Sequence, residues 1–316
     1  MLANLAGDVL PSAAMDRTRR HRIPARLRWC HGALALLVVF CMRVPVATAY
    51  SLLPLVTEEA ETLPDGTAEA ILGVNFVKDL RFPPFTPPGV LHSLVLIGLP
   101  QFGFRIAAGN WAEIQGSYEV LYLNEKTTNG YTNWQYGSGD LRVSTKVWIT
   151  REHDRFPALG LRFGTKIPNA NRDAQLGTDD TDFWADGLFS KDFGPLSLHS
   201  NLGILLLGNS GSPISNVYQA GGQDDLFSYS TAVVSAPMGA PAPGATQLRL
   251  LGEVAGQTGS HYANDRSVVR VGLQLAEGAG TVFLGVSTGL DTASETIGAS
   301  LGFIYTFEPA KLLKMD

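Results

Sequence analysis

The residues able to do chemistry in this chain are charges repeated at a spacing of four. Arg142 and Lys146 form one such pair, Arg162 and Lys166 a second, Asp182 and Asp186 a third, and Arg249 with Glu253 a fourth. In an extended strand that spacing puts both side chains on one face, so each pair meets the same compartment. Placed side by side, Arg142, Lys146, Arg162 and Lys166 make a like-charge cluster unless acids from a neighbouring strand or loop interleave. Two uses fit such a cluster: a constriction favouring anions or polarised phenols, or an ion-pair network that stiffens a nearly closed wall. Catalysis has less support. His199 and Ser200 are adjacent and therefore point to opposite faces of a strand, while His92 and His261 have no patterned serine partner, so no enzyme is expected. The acidic stretch Gly177-Thr178-Asp179-Asp180-Thr181-Asp182, with Gln223-Asp224-Asp225 farther on, lacks the glycine and terminal glutamate positions of a calcium loop. No metal and no other cofactor is expected.

The elements that must position these charges are strands. Past Thr67 the chain alternates apolar and polar residues in about a dozen stretches separated by Gly, Asn, Asp and Pro clusters. Strands are expected near residues 67–76, 94–106, 111–123, 138–150, 157–166, 181–191, 196–207, 225–236, 246–256, 266–276, 281–289 and 295–307. Their apolar parity holds Leu159, Leu161 and Phe163, then Val269, Val271, Leu273 and Leu275, then Ile297, Ala299, Leu301 and Phe303. Aromatic residues of the same parity cluster near strand ends: Tyr118, Tyr122, Phe183, Phe189, Phe227, Tyr229, Tyr305 and Phe307. Connections alternate between long and short over most of the chain, as in barrels whose turns on one side of the membrane are short and whose loops on the other are long. The expected fold is therefore all-β: a transmembrane antiparallel up-and-down β-barrel of about 12 strands over residues 67–307. The competing fold is a soluble sandwich with its apolar parity turned to a core.

In the barrel the other parity lines the lumen. The lining candidates are Glu113, Glu119, Asp140, Arg142, Lys146, Arg162, Lys166, Asp182, Asp186, Arg249, Glu253 and Arg270, with Glu69 at the start of the first strand. Most of these charges are expected to pair across adjacent strands, because unpaired charge in a narrow interior is costly. A barrel of this size lies between those filled by side chains and those holding a wide aqueous channel, so only small solutes are expected to pass.

The first 49 residues read as an export signal, with a basic region from Arg17 to Arg28, an apolar run from Gly32 to Met42 and the cleavage pattern Ala47-Thr48-Ala49. Cleavage near Ala49 leaves residues 50–66 as a short periplasmic segment and 308–316 as a periplasmic tail. Cys30 and Cys41 are the only cysteines, so disulfides and thiolate metal sites are excluded from the remainder. The signal carries seven Arg and two Asp, which leaves 17 basic and 27 acidic residues, a net charge of −10. That balance excludes a nucleic-acid partner.

Two motifs go beyond alternation. Ser300-Leu301-Gly302-Phe303-Ile304-Tyr305-Thr306-Phe307 resembles the terminal signal read by the barrel-assembly machinery, with Ser300, Gly302, Tyr305 and Phe307 at its informative positions and Glu308 to Asp316 as an unusual extension. The second is a series: Gly139-Asp140-Leu141, Thr145-Lys146, Pro157-Ala158-Leu159-Gly160-Leu161, Gly164-Thr165-Lys166-Ile167-Pro168, Thr181-Asp182-Phe183, Ser190-Lys191 and Asn201-Leu202-Gly203. It resembles the outer-membrane transporter family known as the MetA-pathway of phenol degradation. The resemblance implies a barrel in the outer membrane of a Gram-negative bacterium, in contact with its lipid, passing small hydrophobic or aromatic compounds. The alternatives are a nearly closed barrel with a structural or surface-interaction role and, with less support, a membrane lipid hydrolase.

Overall fold

The computed structural model describes residues 51–79, 93–126, 132–171, 174, 176–177, 179–208, 224–239, 244–258, 265–291 and 294–312. His92, His261, Gln223 and the expected export signal lie outside the described residues. The strands are β1 (Ala68–Lys78), β2 (Ser93–Ala107), β3 (Ala112–Lys126), β4 (Thr132–Ser138), β5 (Leu141–Thr150), β6 (Ala158–Ile167) and β7 (Asp182–Asp192). They continue with β8 (Leu196–Leu207), β9 (Asp224–Ser235), β10 (Met238–Gly239), β11 (Gln247–Thr258), β12 (Arg266–Glu277), β13 (Gly280–Gly289) and β14 (Ile297–Phe307), followed by the single helical turn α1 (Pro309–Leu312).

Every neighbouring pair is antiparallel, and β14 returns to β1 in an unbroken register from Ala68 opposite Phe307 to Lys78 opposite Ile297. The sheet is thereby closed, which leaves no edge facing lipid. Twelve strands complete the wall. β4 is an addition that pairs only with the upper part of β3, and the two-residue β10 folds against the start of β11. The expected boundaries agree with the observed ones to within a few residues, apart from β4, whose residues Thr132–Ser138 fall almost wholly in the connection 124–137 expected to be a loop.

The wall is apolar outside and charged inside. Leu72, Phe104, Leu161, Phe163, Phe183, Leu202, Val271 and Leu301 are exposed, whereas Glu69, Glu113 and Lys146 are among the largest fully buried side chains. A water-soluble sandwich shows the reverse, because burying unpaired charge is costly while burying apolar side chains is favourable. The alternation thus has the lipid-facing sense, with Tyr305 and Phe307 stacked 5.9 Å apart at the end of β14.

Both ends of the barrel chain, Ala68 and Phe307, lie at one rim, termed here the terminal rim. The segment 50–66, expected outside the barrel, lies inside it over its described part. From Ser51 to Leu63 it follows the inner wall in the half nearer the terminal rim, making contacts from β12 round to β3. The reason is chemical: the inward faces here carry acceptors and donors that would otherwise be buried without partners, and the extended segment satisfies them.

Candidate functional site

The site is assembled one side chain per strand. Glu69 on β1, Arg105 on β2, Glu113 on β3, Lys146 on β5, Arg162 on β6 and Asp186 on β7 occupy inward positions of six consecutive wall strands. The register sets Glu69 opposite Arg105, Glu113 opposite Lys146, Lys146 opposite Arg162 and Arg162 opposite Asp186. Arg105 gives Nε to Glu113 Oε1 at 2.7 Å and Nη1 to Glu69 Oε2 at 3.1 Å. Lys146 Nζ lies 3.4 Å from Glu113 Oε1, and Arg162 Nη2 lies 2.7 Å from Asp186 Oδ2.

One junction in this ring is repulsive. Lys146 and Arg162 face each other directly, and two cations at neighbouring positions inside a low-dielectric wall repel strongly. The internal segment resolves it. Glu58 reaches between them, with Oε2 at 3.6 Å from Lys146 Nζ and Oε1 at 3.3 Å from Arg162 Nη1. Glu59 adds a contact of 3.7 Å to Arg105 Nη2. The interleaving acid required by the sequence therefore comes from the segment. Higher on the wall the second facing pair, Arg142 and Lys166, is offset by Asp182 at 2.7 Å and Asp140 at 3.7 Å from Lys166 Nζ.

The segment's backbone is held by wall side chains. Glu253 Oε2 on β11 accepts the amides of Val56 at 2.9 Å and Thr57 at 2.6 Å, and the Thr57 hydroxyl at 2.6 Å. Its other oxygen pairs with Arg270 on β12. Asn201 on β8 accepts the Glu58 amide at 2.7 Å and donates to the Glu58 carbonyl at 2.9 Å. Ser190 Oγ accepts the Ala60 amide, and Glu113 Oε2 the Leu63 amide, both at 2.8 Å. Gln274 Nε2 donates to the Ser51 and Leu53 carbonyls at 2.6 Å each.

Apolar contacts fill the spaces between these bonds. Leu52 and Leu55 pack on Ala232, Val234 and Leu251, and Ala60 packs on Ala158 and Leu188. Two glycines permit the close approach. A Cβ at Gly285 would stand 2.4 Å from Pro54 Cγ, and one at Gly160 would stand 2.7 Å from the Ala60 carbonyl oxygen.

Burial gives the segment's carboxyls unequal proton affinities. The Glu59 carboxyl is pushed up to about 8 by burial, against the pull of Lys146 and Arg105. Glu58 is subject to the same burial, but its cationic neighbours Lys146, Arg105 and Arg162 outweigh it and hold the carboxyl below its ordinary range.

The sequence-derived lining set is thus divided. Glu113, Lys146, Arg162 and Asp186 form the ring, Asp140, Lys166 and Asp182 a cluster above it, and Glu253 with Arg270 a clamp on the segment. Arg249 shares the inward parity of Glu253, with Gln274 opposite it, and Glu119 stands opposite Gln101. Three features escaped the sequence reading. Arg105 was not singled out, although it sits on the polar parity of β2 and bridges two acids. His199 Nδ1 meets the hydroxyl of Ser190 at 2.8 Å, across a hairpin register in which the two residues are opposed. Leu121 and Leu123 face inward rather than toward lipid, and both are buried. The pairing of Arg105 with two acids and the meeting of Ser190 with His199 depend on which residue the next strand sets opposite, whereas Leu121 and Leu123 share the parity of Glu113 and Glu119 but are apolar in type. Among the described residues no group of three or more His, Cys, Asp or Glu side chains is arranged to hold a metal ion.

No family model matches the chain, and no curated protein matches it. Among solved structures it overlays an outer membrane channel from Pseudomonas putida F1 with a TM-score of 0.57 and 11% identity, covering 78% of this chain and 98% of that one. It also matches the β domain of the Bordetella autotransporter BrkA, with a TM-score of 0.49 and 12% identity over 77% of this chain and 100% of that one. The first of these overlays has the same fold, a membrane β-barrel.

Proposed function

We propose that the protein is a passive outer-membrane channel for small hydrophobic or aromatic compounds, related to the transporter family that its glycine-rich motifs resemble. The observation that carries this reading is the lumen: a 12-strand barrel whose inner wall is lined by paired charges and narrowed by its own segment. Neutralised charge and a narrow bore suit small uncharged solutes better than large or strongly charged ones. The export signal expected from the sequence, the lipid-facing exterior and the fold shared with a protein described as an outer membrane channel support the same location. In that setting the terminal rim faces the periplasm, and Ser300, Gly302, Tyr305 and Phe307 on the closing strand are the residues offered to the barrel-assembly machinery.

The Ser190 and His199 pair does not favour a hydrolase. The serine oxygen already accepts the Ala60 amide, and both side chains are buried beneath the segment. A nucleophile needs a free approach for its substrate.

A second reading has one observation in its favour: the segment is bonded to the wall at five backbone amides, as in a barrel built to stay shut. Vesicle uptake separates the two. Protein reconstituted in liposomes is expected to admit small phenols and aliphatic alcohols, and a variant lacking residues 51–63 is expected to admit them faster. Impermeability to every small solute in both proteins would leave the structural role as the reading.

A further inference from the structure

A bulge on β2 resets the outer wall near the rim opposite the terminal one, termed here the far rim. The register with β3 slips by one residue between Gly98 and Gln101, which reverses the facing of everything above it. Phe102, Phe104 and Ile106 face out below the bulge. Above it Leu94 and Leu96 turn inward beside Leu121 and Leu123, and Val95 and Ile97 face out. The outward positions of β1 to β4 then fall into two rows. The upper row is Lys78, Val95, Asn124 and Trp134, and the lower is Phe76, Ile97, Tyr122 and Tyr136, each residue standing opposite the next in the register.

Height on the wall sets which part of the bilayer these rows meet. Ile114, exposed near the terminal rim, begins the outward positions of β3, and Asn124 lies ten residues farther along the same strand. At about 3.4 Å per residue and a strand tilt of about 40°, that is a rise of roughly 26 Å, close to the apolar band of about 25 Å in such barrels. The upper row therefore stands at headgroup level and the lower row just beneath it.

The upper row carries polar groups that the protein does not satisfy. Lys78 is exposed, and among the described residues no carboxylate pairs with it. Asn124 is all but 9% buried, and its Nδ2 has no acceptor among the described residues. A buried amide left without a partner is costly, so an acceptor from outside the chain is favoured there. Aromatic faces stand beside it. Trp134 and Tyr136 are 59% and 75% exposed, and Tyr136 stacks on Tyr122 with ring centroids 6.3 Å apart. Lys78 and Asn124 are two strand spacings apart, roughly 10 Å.

We propose that this outer face of β1 to β4 holds one lipid of the outer leaflet whose headgroup is a phosphorylated saccharide. Lys78 meets the phosphate, the Asn124 amide donates to a sugar or phosphate oxygen, and Trp134 with Tyr136 covers the face of a sugar ring. Phe76 and Ile97 lie one row lower, where the acyl chains begin. A glycerophospholipid supplies the phosphate and the chains but no ring for the aromatic pair. A purely apolar ligand leaves both Lys78 and Asn124 unanswered. The inference rests on the outer-membrane reading, in which the terminal rim faces the periplasm and the far rim the exterior.

The test uses the full chain, purified after export and placed in phosphatidylcholine nanodiscs, with a diphosphorylated, acylated glucosamine disaccharide as the probe. Native mass spectrometry counts the probe molecules retained by each barrel. One is expected, held about tenfold more tightly than phosphatidylglycerol or the dephosphorylated probe. Lys78→Gln is expected to weaken retention about tenfold, as is the double variant Trp134→Ala with Tyr136→Ala. Asn124→Leu should act in the same direction, and Asn124→Ser replaces it if the leucine variant loses heat-modifiable migration. Phe163→Ala, exposed on the outward face of β6, should leave retention unchanged. Equal retention of phosphatidylglycerol overturns the proposal, as does retention indifferent to the Lys78 and aromatic variants. Orientation is scored separately, by labelling Leu290→Cys at the far rim on intact cells with an impermeant thiol reagent, Cys30 and Cys41 being replaced by alanine. Labelling without probe retention removes the lipid site and keeps the outer-membrane reading; retention without labelling overturns the assignment to the outer leaflet.

Discussion

Replacing Glu253 by alanine is expected to release the internal segment while leaving the barrel intact. One carboxylate oxygen accepts three hydrogen bonds from the segment, from the Val56 and Thr57 amides and the Thr57 hydroxyl. Hydrogen bonds to a charged group contribute about 1.5–3 kcal/mol each, but three that share one atom do not add fully. A loss of roughly 3–5 kcal/mol to docking is a reasonable total, in line with the cost of breaking a buried charge pair. At 1.4 kcal/mol per decade, that shifts the ratio of docked to undocked segment by about two to three and a half decades. The strand ladder is untouched, because the substitution lies on an inward position and alanine keeps the backbone bonds of β11 to β9 and β12. Leu63, almost wholly buried, is the reporter position. With Cys30 and Cys41 replaced, Leu63→Cys becomes the sole thiol, and its reaction with a water-soluble reagent measures undocking. Glu253→Ala is expected to speed that reaction by about two orders of magnitude, and Glu253→Gln, which keeps an acceptor oxygen, by less. Equal labelling rates in the parent and the alanine variant, with heat-modifiable migration retained by both, would refute the assignment of Glu253 as the principal clamp.

Docking is also expected to depend on pH in both directions. Glu59, raised to about 8 by burial, takes up a proton on docking, so its contribution is complete below its ordinary value of 4.5 and is lost as pH rises to about 8. Glu58 is shifted the opposite way, so its contribution is present above 4.5 and is lost as pH falls through its lowered value. Leu63→Cys labelling should therefore be slowest near pH 5 and rise on either side; a flat profile from pH 4 to 9 counts against the burial of Glu59. Gly285→Val places a side chain where Pro54 lies, and is expected to raise conductance and Leu63→Cys labelling without lowering the yield of folded barrel. Arg162→Ala removes the cation shared by Glu58 and Asp186 and leaves net negative charge in the ring, so reversal potentials in a salt gradient should shift toward cation preference. An unchanged reversal potential would place the ring outside the conducting path.

Much of the barrel was legible in the sequence because its two faces meet solvents of opposite character. Lipid outside and a polar lumen inside impose a period of two on each spanning strand, and that period is a property of single strands. The expected lining residues were drawn from the same rule, and the like-charge problem between the strands of Lys146 and Arg162 was visible once those strands were taken as neighbours. Leu121 and Leu123 were not legible as lining, because Tyr118 and Tyr122 on the same strand are apolar too and parity by amino-acid type fails there. Leu94 and Leu96 were hidden for a different reason. A bulge of one residue reverses facing partway along β2, and no composition rule locates it.

What the sequence determined by itself was the class of wall: a barrel of about a dozen strands with approximate limits, which parity meets lipid, and that the charges on the other parity require partners. What only the tertiary structure decided was where those partners come from. Residues 51–63 carry no strand pattern and only acidic charges, Glu58, Glu59 and Glu61, and read alone they are a short extension. Their role arises because closing the sheet gathers Glu253, Asn201, Ser190, Gln274, Glu113 and the Lys146 and Arg162 pair around one enclosed space. Buried polar groups are costly to leave without partners, and the segment is the piece of chain within reach.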